Sequence, residues 1–286
     1  MANTLDLRRR IRSVKSTEQI TRAMKMVAAA RLRRAQSRIT EARPYASALE
    51  GVLGSLAARV RNGRHPLLAS RVEESVTLVV VTGDRGLCGA FNANVEREAL
   101  ALLREPRWKK TDLVLVGRKG IDFFRHKGIT PHETHAELMS NITPAAAFEL
   151  ARRLARRFAG GETDAVYVLY NKFRSVIQQQ VTLDQLLPIT RVEHQADGEL
   201  TPFIFEPSPG ALLNQLLPKH VEFQVLRMLL DSQAAEQAAR MTAMDAASKN
   251  AADMIDHLTL TYNRLRQASI TKELIEIVSG AQALER

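Results

Sequence analysis

The sequence contains few of the residues that cross-link a chain or interrupt its secondary structure. One cysteine, Cys88, stands among 286 residues, so no internal disulfide can form. Aromatic residues make up 5 % of the chain. No apolar stretch approaches the ~20 residues that a membrane-spanning helix requires. These absences exclude a disulfide-built domain and predict a soluble protein of a reducing compartment.

Glycine and proline are nearly missing from both ends of the chain. Residues 211–279 contain no glycine and one proline, and residues 5–50 contain no glycine and only Pro44. Each end is therefore predicted to be one long helix, with Pro44 bending the first helix without ending it. At ~1.5 Å per residue the last helix would span on the order of 100 Å, so it needs a partner of similar length.

Apolar residues recur along both ends at alternating steps of three and four, the spacing of a coiled coil. The first segment has the series Ala35, Ile39, Ala42, Ala46, Leu49, Leu53, Leu56 and Val60. The inner face before that series is predicted to hold Leu7, Ile11, Val14, Ile20, Met24, Val27, Ala28 and Leu32. The last segment has matching series, including Val221, Val225, Met228, Ser232, Ala235 and Ala239, and later Ala251, Ile255, Leu258, Tyr262 and Leu265. The two ends are therefore predicted to pair as an antiparallel shaft.

The middle of the chain has a different pattern. Strands are predicted at 75–82, 112–116, 165–170 and 176–183, and helices at 91–104, 120–126 and 144–158. Alternating strands and helices indicate a small α/β, Rossmann-like domain with a largely parallel sheet. The predicted fold is thus a long antiparallel two-helix coiled coil plus a central α/β domain. Its predicted parts are residues 1–63, 72–190, a connecting loop at 191–210, and 211–286.

Two motifs could indicate chemistry. Residues 83–89, with sequence GDRGLCG, follow a strand and precede a helix, where a phosphate-binding loop would lie. Their spacing matches neither common nucleotide-binding pattern, so a tight turn is the preferred interpretation over a nucleotide-using enzyme. His126, His132 and His135 lie close in sequence without further ligands at metal spacing. No catalytic residue, cofactor site or metal site is predicted.

The first helix carries the basic charge of the chain. Residues 1–64 hold fifteen lysines and arginines against four acidic residues, and the whole chain has a net charge of +10. Such a helix could bind nucleic-acid phosphates or the acidic loops of a surrounding protein. Charge alone leaves both alternatives open, along with a merely solvated face.

Several motifs together are similar to one known family. Residues 270–283, ITKELIEIVSGAQA, resemble the C-terminal signature of the gamma subunit of bacterial F-type ATP synthases. Further similar motifs fall in the family's order along the whole chain: ITRAMKMVAAA at 20–30, RPYA at 43–46, TGDRGLCGAFN at 82–92, FEP at 205–207, EQAARMTAM at 236–244 and RQASIT at 266–271. The long insertion with a cysteine pair that marks chloroplast members is missing.

The resemblance implies a rotor with no catalytic activity of its own. In that family the terminal helices form a shaft inside a hexamer of alpha and beta subunits, and the α/β domain flanks its base with the epsilon subunit on the membrane ring of c subunits. Ion flow turns the ring and the shaft, which drives ATP synthesis at the beta sites. The implied location is peripheral, at the cytoplasmic face of the bacterial cell membrane. A basic coiled-coil nucleic-acid-binding module is the alternative function.

The resemblance also implies three sets of contact residues. The rotor–stator catch would comprise Arg266, Gln267, Thr271 and Glu273, together with Met24 and Lys25 at the same level of the opposite helix. The bearing tip would comprise Val278, Gly280, Ala281 and Leu284. The foot, in contact with epsilon and the c ring, would comprise Phe203, Phe205 and Glu206.

Overall fold

Two helices of great length dominate the chain in a computed structural model. The model describes residues 4–59, 65–108, 110–189, 206 and 208–284. Helix α1 covers Thr4–Arg59 and helix α5 covers Pro209–Leu284. Each has one internal proline, Pro44 in α1 and Pro218 in α5, and continues past it. None of the described helices is long and apolar enough to cross a membrane.

The chain divides into two compact units, and α1 pairs with α5 in each. The first unit comprises residues 1–27 and 241–286, and the second comprises residues 28–240. In the first unit the Arg8 guanidinium carbon lies 6.0 Å from the ring centre of Tyr262. Further along α1, Lys25 contacts Asp245. Residue numbers rise along α1 as they fall along α5, so the two helices are antiparallel.

The second unit repeats this pairing and adds a sheet. Leu32 and Ala35 of α1 pack with Ala234 and Ala238 of α5. The five strands are β1 (Val76–Val81), β2 (Thr111–Val116), β3 (Glu133–His135), β4 (Ala165–Phe173) and β5 (Gln179–Leu187). Their order is β3-β2-β1-β4-β5, with only the β4–β5 pair antiparallel. The predicted fold class, a two-helix coiled coil with a largely parallel α/β domain, is confirmed.

Helices cover both faces of this sheet. On one face pack α2 (Phe91–Arg104) and α3 (Arg118–His126), against side chains such as Leu78 and Val80. On the other pack α4 (Pro144–Ala159) and the inner parts of the long helices, including Leu53 of α1 and Leu229 of α5. Every residue of β1 is buried, as its run of β-branched residues predicts. The long helices are therefore part of the domain core.

Local signals account for several element ends. Thr143 caps α4, since its hydroxyl accepts the backbone N–H of Ala146 at 3.3 Å, and Pro144 follows at the first helical position. Gly117, before α3, has φ of 95°. A Cβ there would lie 2.1 Å from the carbonyl oxygen of Thr82, so only glycine fits.

Burial along α1 follows the heptad spacing more closely than it follows hydrophobicity. Leu7, Ile11, Val14, Met24, Ala28 and Leu32 are buried or half-buried, as predicted. Ile20 and Val27 were expected on the inner face, but they are 56 % and 51 % exposed. Glu18, Thr21 and Lys25 take the inner positions instead, because they continue the three-four alternation from Leu7 to Ala35.

The middle elements differ from the predictions mainly at their ends. Helix α3 starts at Arg118, and β5 runs from Gln179 to Leu187, three to four residues later than expected. Strand β3 was not predicted, and α5 begins at Pro209. Residues 60–64, which hold most of the expected stop of α1, lie outside the described residues, as does most of the loop at 191–210.

Candidate functional site

The last part of α5 carries an exposed apolar surface. Every residue from 266 to 280 is exposed. Its large apolar side chains are 49–68 % exposed: Ile270, Leu274, Ile275, Ile277 and Val278. The polar contacts described here stay within the helix, including Thr271 Oγ1 to the Gln267 carbonyl at 2.9 Å and Ser269 Oγ to Glu273 Oε1 at 3.2 Å. A contiguous apolar surface of this kind marks an interaction site.

The structure places only some of the expected tip and foot residues. Val278 is 55 % exposed, and a Cβ at Gly280 would meet no atom within 4 Å. The side chains of Ala281 and Leu284 lie outside the description. So do Phe203 and Phe205 of the expected foot, whereas Glu206 lies exposed in a bend.

The six expected catch residues do not lie at one level. Lys25 Nζ is 2.5 Å from Asp245 Oδ1, and Lys249 Nζ is 3.0 Å from the other oxygen of that carboxylate. Asp245 precedes Arg266 by twenty-one helical residues, about 30 Å along the axis. The expectation that Met24 and Lys25 lie near the level of Arg266 is therefore wrong. The antiparallel register instead brings Arg8 to Tyr262.

A second group of exposed apolar residues lies on α1. Ile20, Met26 and Val27 are 51–63 % exposed, although they flank the half-buried Met24 and Lys25. Two of them, Ile20 and Val27, were expected on the inner face. Their signal was their displacement from the heptad positions, which predicts an outward direction whatever the residue type.

The glycine loop at 83–89 makes hydrogen bonds to other parts of the chain. The Gly83 N–H donates to Asn92 Oδ1 at 2.8 Å. The Asp84 carboxylate accepts the N–H groups of Arg118 at 3.0 Å, Glu137 at 3.0 Å and Ser140 at 2.7 Å. Arg118 is the first residue of α3, so Asp84 holds the place that a phosphate takes at a helix N-terminus. The loop acts as the expected tight turn.

A buried ion pair supports the same loop from α5. Glu236 Oε1 and Arg240 Nη2 are 2.5 Å apart, and Arg240 also donates to the Gly86 carbonyl at 3.2 Å. Burial raises the pKa of Glu236 and outweighs the opposite influence of Arg240. Burial likewise raises the pKa of the nearby Cys88 thiol, so it is poorly ionised at neutral pH. These groups hold the loop on the helix.

The three histidines do not converge on a metal site. His135 Nε2 lies 2.8 Å from Glu133 Oε1, and Arg153 Nη2 lies 2.9 Å from that same oxygen. Burial lowers the pKa of His135. His126 Nδ1 lies 2.6 Å from the carbonyl oxygen of Asp122 on its own helix. Across the described ranges, no three His, Cys, Asp or Glu side chains are grouped to hold a metal ion.

Comparison with known proteins identifies the family. A family model described as ATP synthase matches residues 3–284. The ATP synthase gamma chain of Geobacter metallireducens is 48 % identical and that of Solibacter usitatus 50 % identical, each over the full length of both chains. A chain in the central stalk and c-ring structure of Tetrahymena thermophila mitochondrial ATP synthase is 29 % identical. It has a TM-score of 0.59, with 80 % of this chain and 99 % of that chain covered. A chain of the Euglena gracilis mitochondrial ATP synthase, 22 % identical, shares the fold, with a TM-score of 0.68 over 98 % of this chain and 94 % of its own. The chain belongs to the ATP synthase gamma chain family.

Proposed function

We propose that this chain is the central rotor shaft of an F-type ATP synthase. One observation carries the proposal: α5 still pairs with α1 at Tyr262, and its large apolar side chains further along, from Ile270 to Val278, are exposed. Exposed apolar surface on a helix calls for a surrounding partner. In the gamma chain family, that partner is the hexamer of alpha and beta subunits. No observation favours the nucleic-acid alternative.

The shaft would act through contacts that change as it turns. A rotor biases a catalytic subunit only through contacts that differ between the states of that subunit. Moving one site from 1:99 to 99:1 takes ~5.5 kcal/mol of differential contact energy. Apolar residues at the tip make few directional bonds, which suits a bearing. Arg266, Gln267, Thr271 and Glu273 are exposed polar residues, which suits an angle-dependent catch.

The structure supports a second contact level in place of the single catch first expected. At this level Met24 and Lys25 are half-buried, while Ile20, Met26 and Val27 face outward. Because Asp245 and Lys249 already engage each other and Lys25, the apolar residues are the better candidates for contact with the beta subunits. Catch contacts would then occur at two places about 30 Å apart along α5.

The base of the shaft would bind the epsilon subunit and the c ring. Phe203, Phe205 and Glu206 are the candidate foot residues, on the family's pattern. The whole complex would place this chain at the cytoplasmic face of the bacterial cell membrane as a peripheral subunit. In this role the chain has no catalytic residues and needs no cofactor, because catalysis belongs to the beta subunits.

Reconstitution tests the proposal directly. The purified chain is expected to have negligible ATPase activity alone and to restore ion-coupled ATP synthesis when assembled with alpha, beta, epsilon and the membrane sector. A test variant replaces Leu274 and Ile277 together by Asp, which removes apolar surface from the exposed part of the helix. This variant is expected to assemble poorly or uncouple. Full coupling by the double Asp variant, or ATPase activity of the lone chain, would contradict the proposal.

A further inference from the structure

A pocket of about 250 Å³ in the second unit has an unusually basic rim. Arg31, Arg34 and Arg38 of α1 line it from one side, and Arg85 of the glycine loop lines it from another. All four residues are exposed. Within the described part of the chain, none of the four guanidinium groups has a carboxylate within 4 Å. The rim thus gathers four positive charges, none of them in a direct ion pair among the described residues, around one concavity.

The floor of the pocket is polar and largely committed to internal bonds. Both oxygens of Asp84 accept backbone N–H groups, and Glu236 is paired with Arg240. These two carboxylates line the pocket; Glu236 has an ionic partner in Arg240, whereas Asp84 is held by uncharged backbone N–H groups. The pocket still has an excess of positive charge, since the four rim arginines alone outnumber these two carboxylates. A fifth guanidinium, that of Arg240, lies in the floor.

One buried group in the floor lacks a partner. Gln237 is 6 % exposed and lines the pocket, and its Oε1 atom makes no hydrogen bond within the described residues. Leaving a buried carbonyl unpaired costs about 1–3 kcal/mol. Rotation of the amide would direct either its carbonyl or its NH₂ into the pocket. This side chain can thus serve a ligand that both accepts hydrogen bonds and carries an acidic proton.

We propose that this pocket binds a phosphate-type anion, either free phosphate or diphosphate or the terminal phosphates of a nucleotide. Arginine forks match the geometry and charge of phosphate oxygens. A pocket of about 250 Å³ is smaller than the ~300–1,000 Å³ of sites for drug-sized ligands, which suits a small hydrated anion better than a folded protein segment. The donors are side chains of α1, α5 and the loop, so the site differs from a glycine-rich phosphate loop. Nothing in the rotor function requires it.

Binding is tested on the full-length chain with diphosphate as the probe. Thermal unfolding and calorimetric titration are run with sodium diphosphate against sodium chloride at matched ionic strength. Diphosphate is expected to raise the unfolding temperature, since a ligand of the folded state stabilises it. Arg34→Gln and Arg38→Gln are each expected to weaken the apparent affinity by roughly tenfold, the worth of one charge-assisted bond.

Arg33→Gln is the matched control, because Arg33 is an exposed neighbour on the same helix and does not line the pocket. It is expected to change the affinity less than about twofold, the most that a screened distant charge contributes. Titration with phosphate and with ATP then separates the sources. Comparable binding of ATP indicates a nucleotide, and much weaker binding of ATP than of diphosphate indicates a free anion.

Three results would overturn the site. The first is a diphosphate effect no larger than that of chloride. The second is an equal loss of affinity in Arg33→Gln and Arg34→Gln, which would show diffuse surface attraction. The third is binding of a glutamate-rich peptide in place of diphosphate, which would make the basic rim a docking surface for an acidic protein segment. Circular dichroism of each variant verifies that its fold is kept.

Discussion

Between Leu213 and Leu230 the large apolar side chains of α5 are buried or half-buried against the sheet and helix α1. Between Ile270 and Val278 side chains of similar kinds are about half exposed or more. The residue types do not distinguish the two stretches. The difference is that other parts of the chain cover the inner stretch, whereas none of the described residues covers the large apolar side chains of the outer stretch. Apolar composition alone therefore indicates that a surface will be covered, without saying by which molecule.

The sharpest way to test this contrast is a matched pair of truncations. Leu229→Ala removes a side chain that is 1 % exposed and is expected to lower the free energy of unfolding by ~2–5 kcal/mol. Leu274→Ala removes one that is 57 % exposed and is expected to change it by no more than about 0.5 kcal/mol. Urea denaturation of the isolated chain measures both. Equal losses would mean that the outer stretch is covered in the free chain as well.

A smaller effect is expected from the buried carboxylate of the inner region. Because the pKa of Glu236 is raised in the folded state, the folded protein binds a proton more readily than the unfolded chain. Its stability should therefore fall as the pH rises through the ordinary pKa of glutamate towards the raised value. Glu236→Gln should not lose stability in this way, so its stability relative to that of the natural protein should rise over this pH range. Denaturation midpoints of both proteins across this pH range give the test. A gap that stays constant with pH would show that Arg240 keeps the carboxylate ionised.

The half-buried ionic contact of Asp245 with Lys25 and Lys249 should respond to pH in the opposite direction, and more weakly. Hydrogen bonds from Lys25 and Lys249 lower the pKa of Asp245, so its contribution to stability is present above the ordinary pKa of aspartate and is lost as the pH falls. The natural protein is expected to hold a slight advantage over Asp245→Asn at neutral pH, and to lose it in acid and in high salt. An advantage that persists in molar salt would indicate a packing role instead.

The smallest effect on folding is expected at the catch. Arg266 and Gln267 are exposed, so Arg266→Ala and Gln267→Ala should change the free energy of unfolding by no more than about 0.5 kcal/mol. Their expected effect is on coupling, since the contact proposed for them lies in the assembled complex. ATP-driven ion pumping and ATP hydrolysis by reconstituted complexes measure the coupling ratio. Unchanged coupling together with an altered melting point would remove these residues from the catch.

Sequence reasoning predicted the long helices, the sheet class and the helix from Phe91 to Arg104 because each rests on a local and repeated signal. It missed β3 because three residues at a sheet edge carry almost no periodicity. It placed Ile20 and Val27 inside because it ranked hydrophobicity above the heptad register. It misaligned Lys25 with Arg266 because the offset between two paired helices depends on long-range contacts. The basic pocket could not be predicted for the same reason, since its arginines and Gln237 come from separate parts of the chain.

Small residues hold α5 on two adjacent sides near the middle of its length. Ala234 and Ala238 contact Leu32 and Ala35, while Ala235 and Ala239 contact Cys88 and Phe91. Alanines at these positions let the neighbouring backbones approach closely and leave little room for sliding. A helix held in this way cannot spin independently of the sheet beside it. Torque entering the α/β domain would therefore pass into α5 at this clamp, and replacing one of these alanines by a bulkier residue would loosen the transmission before it broke the fold.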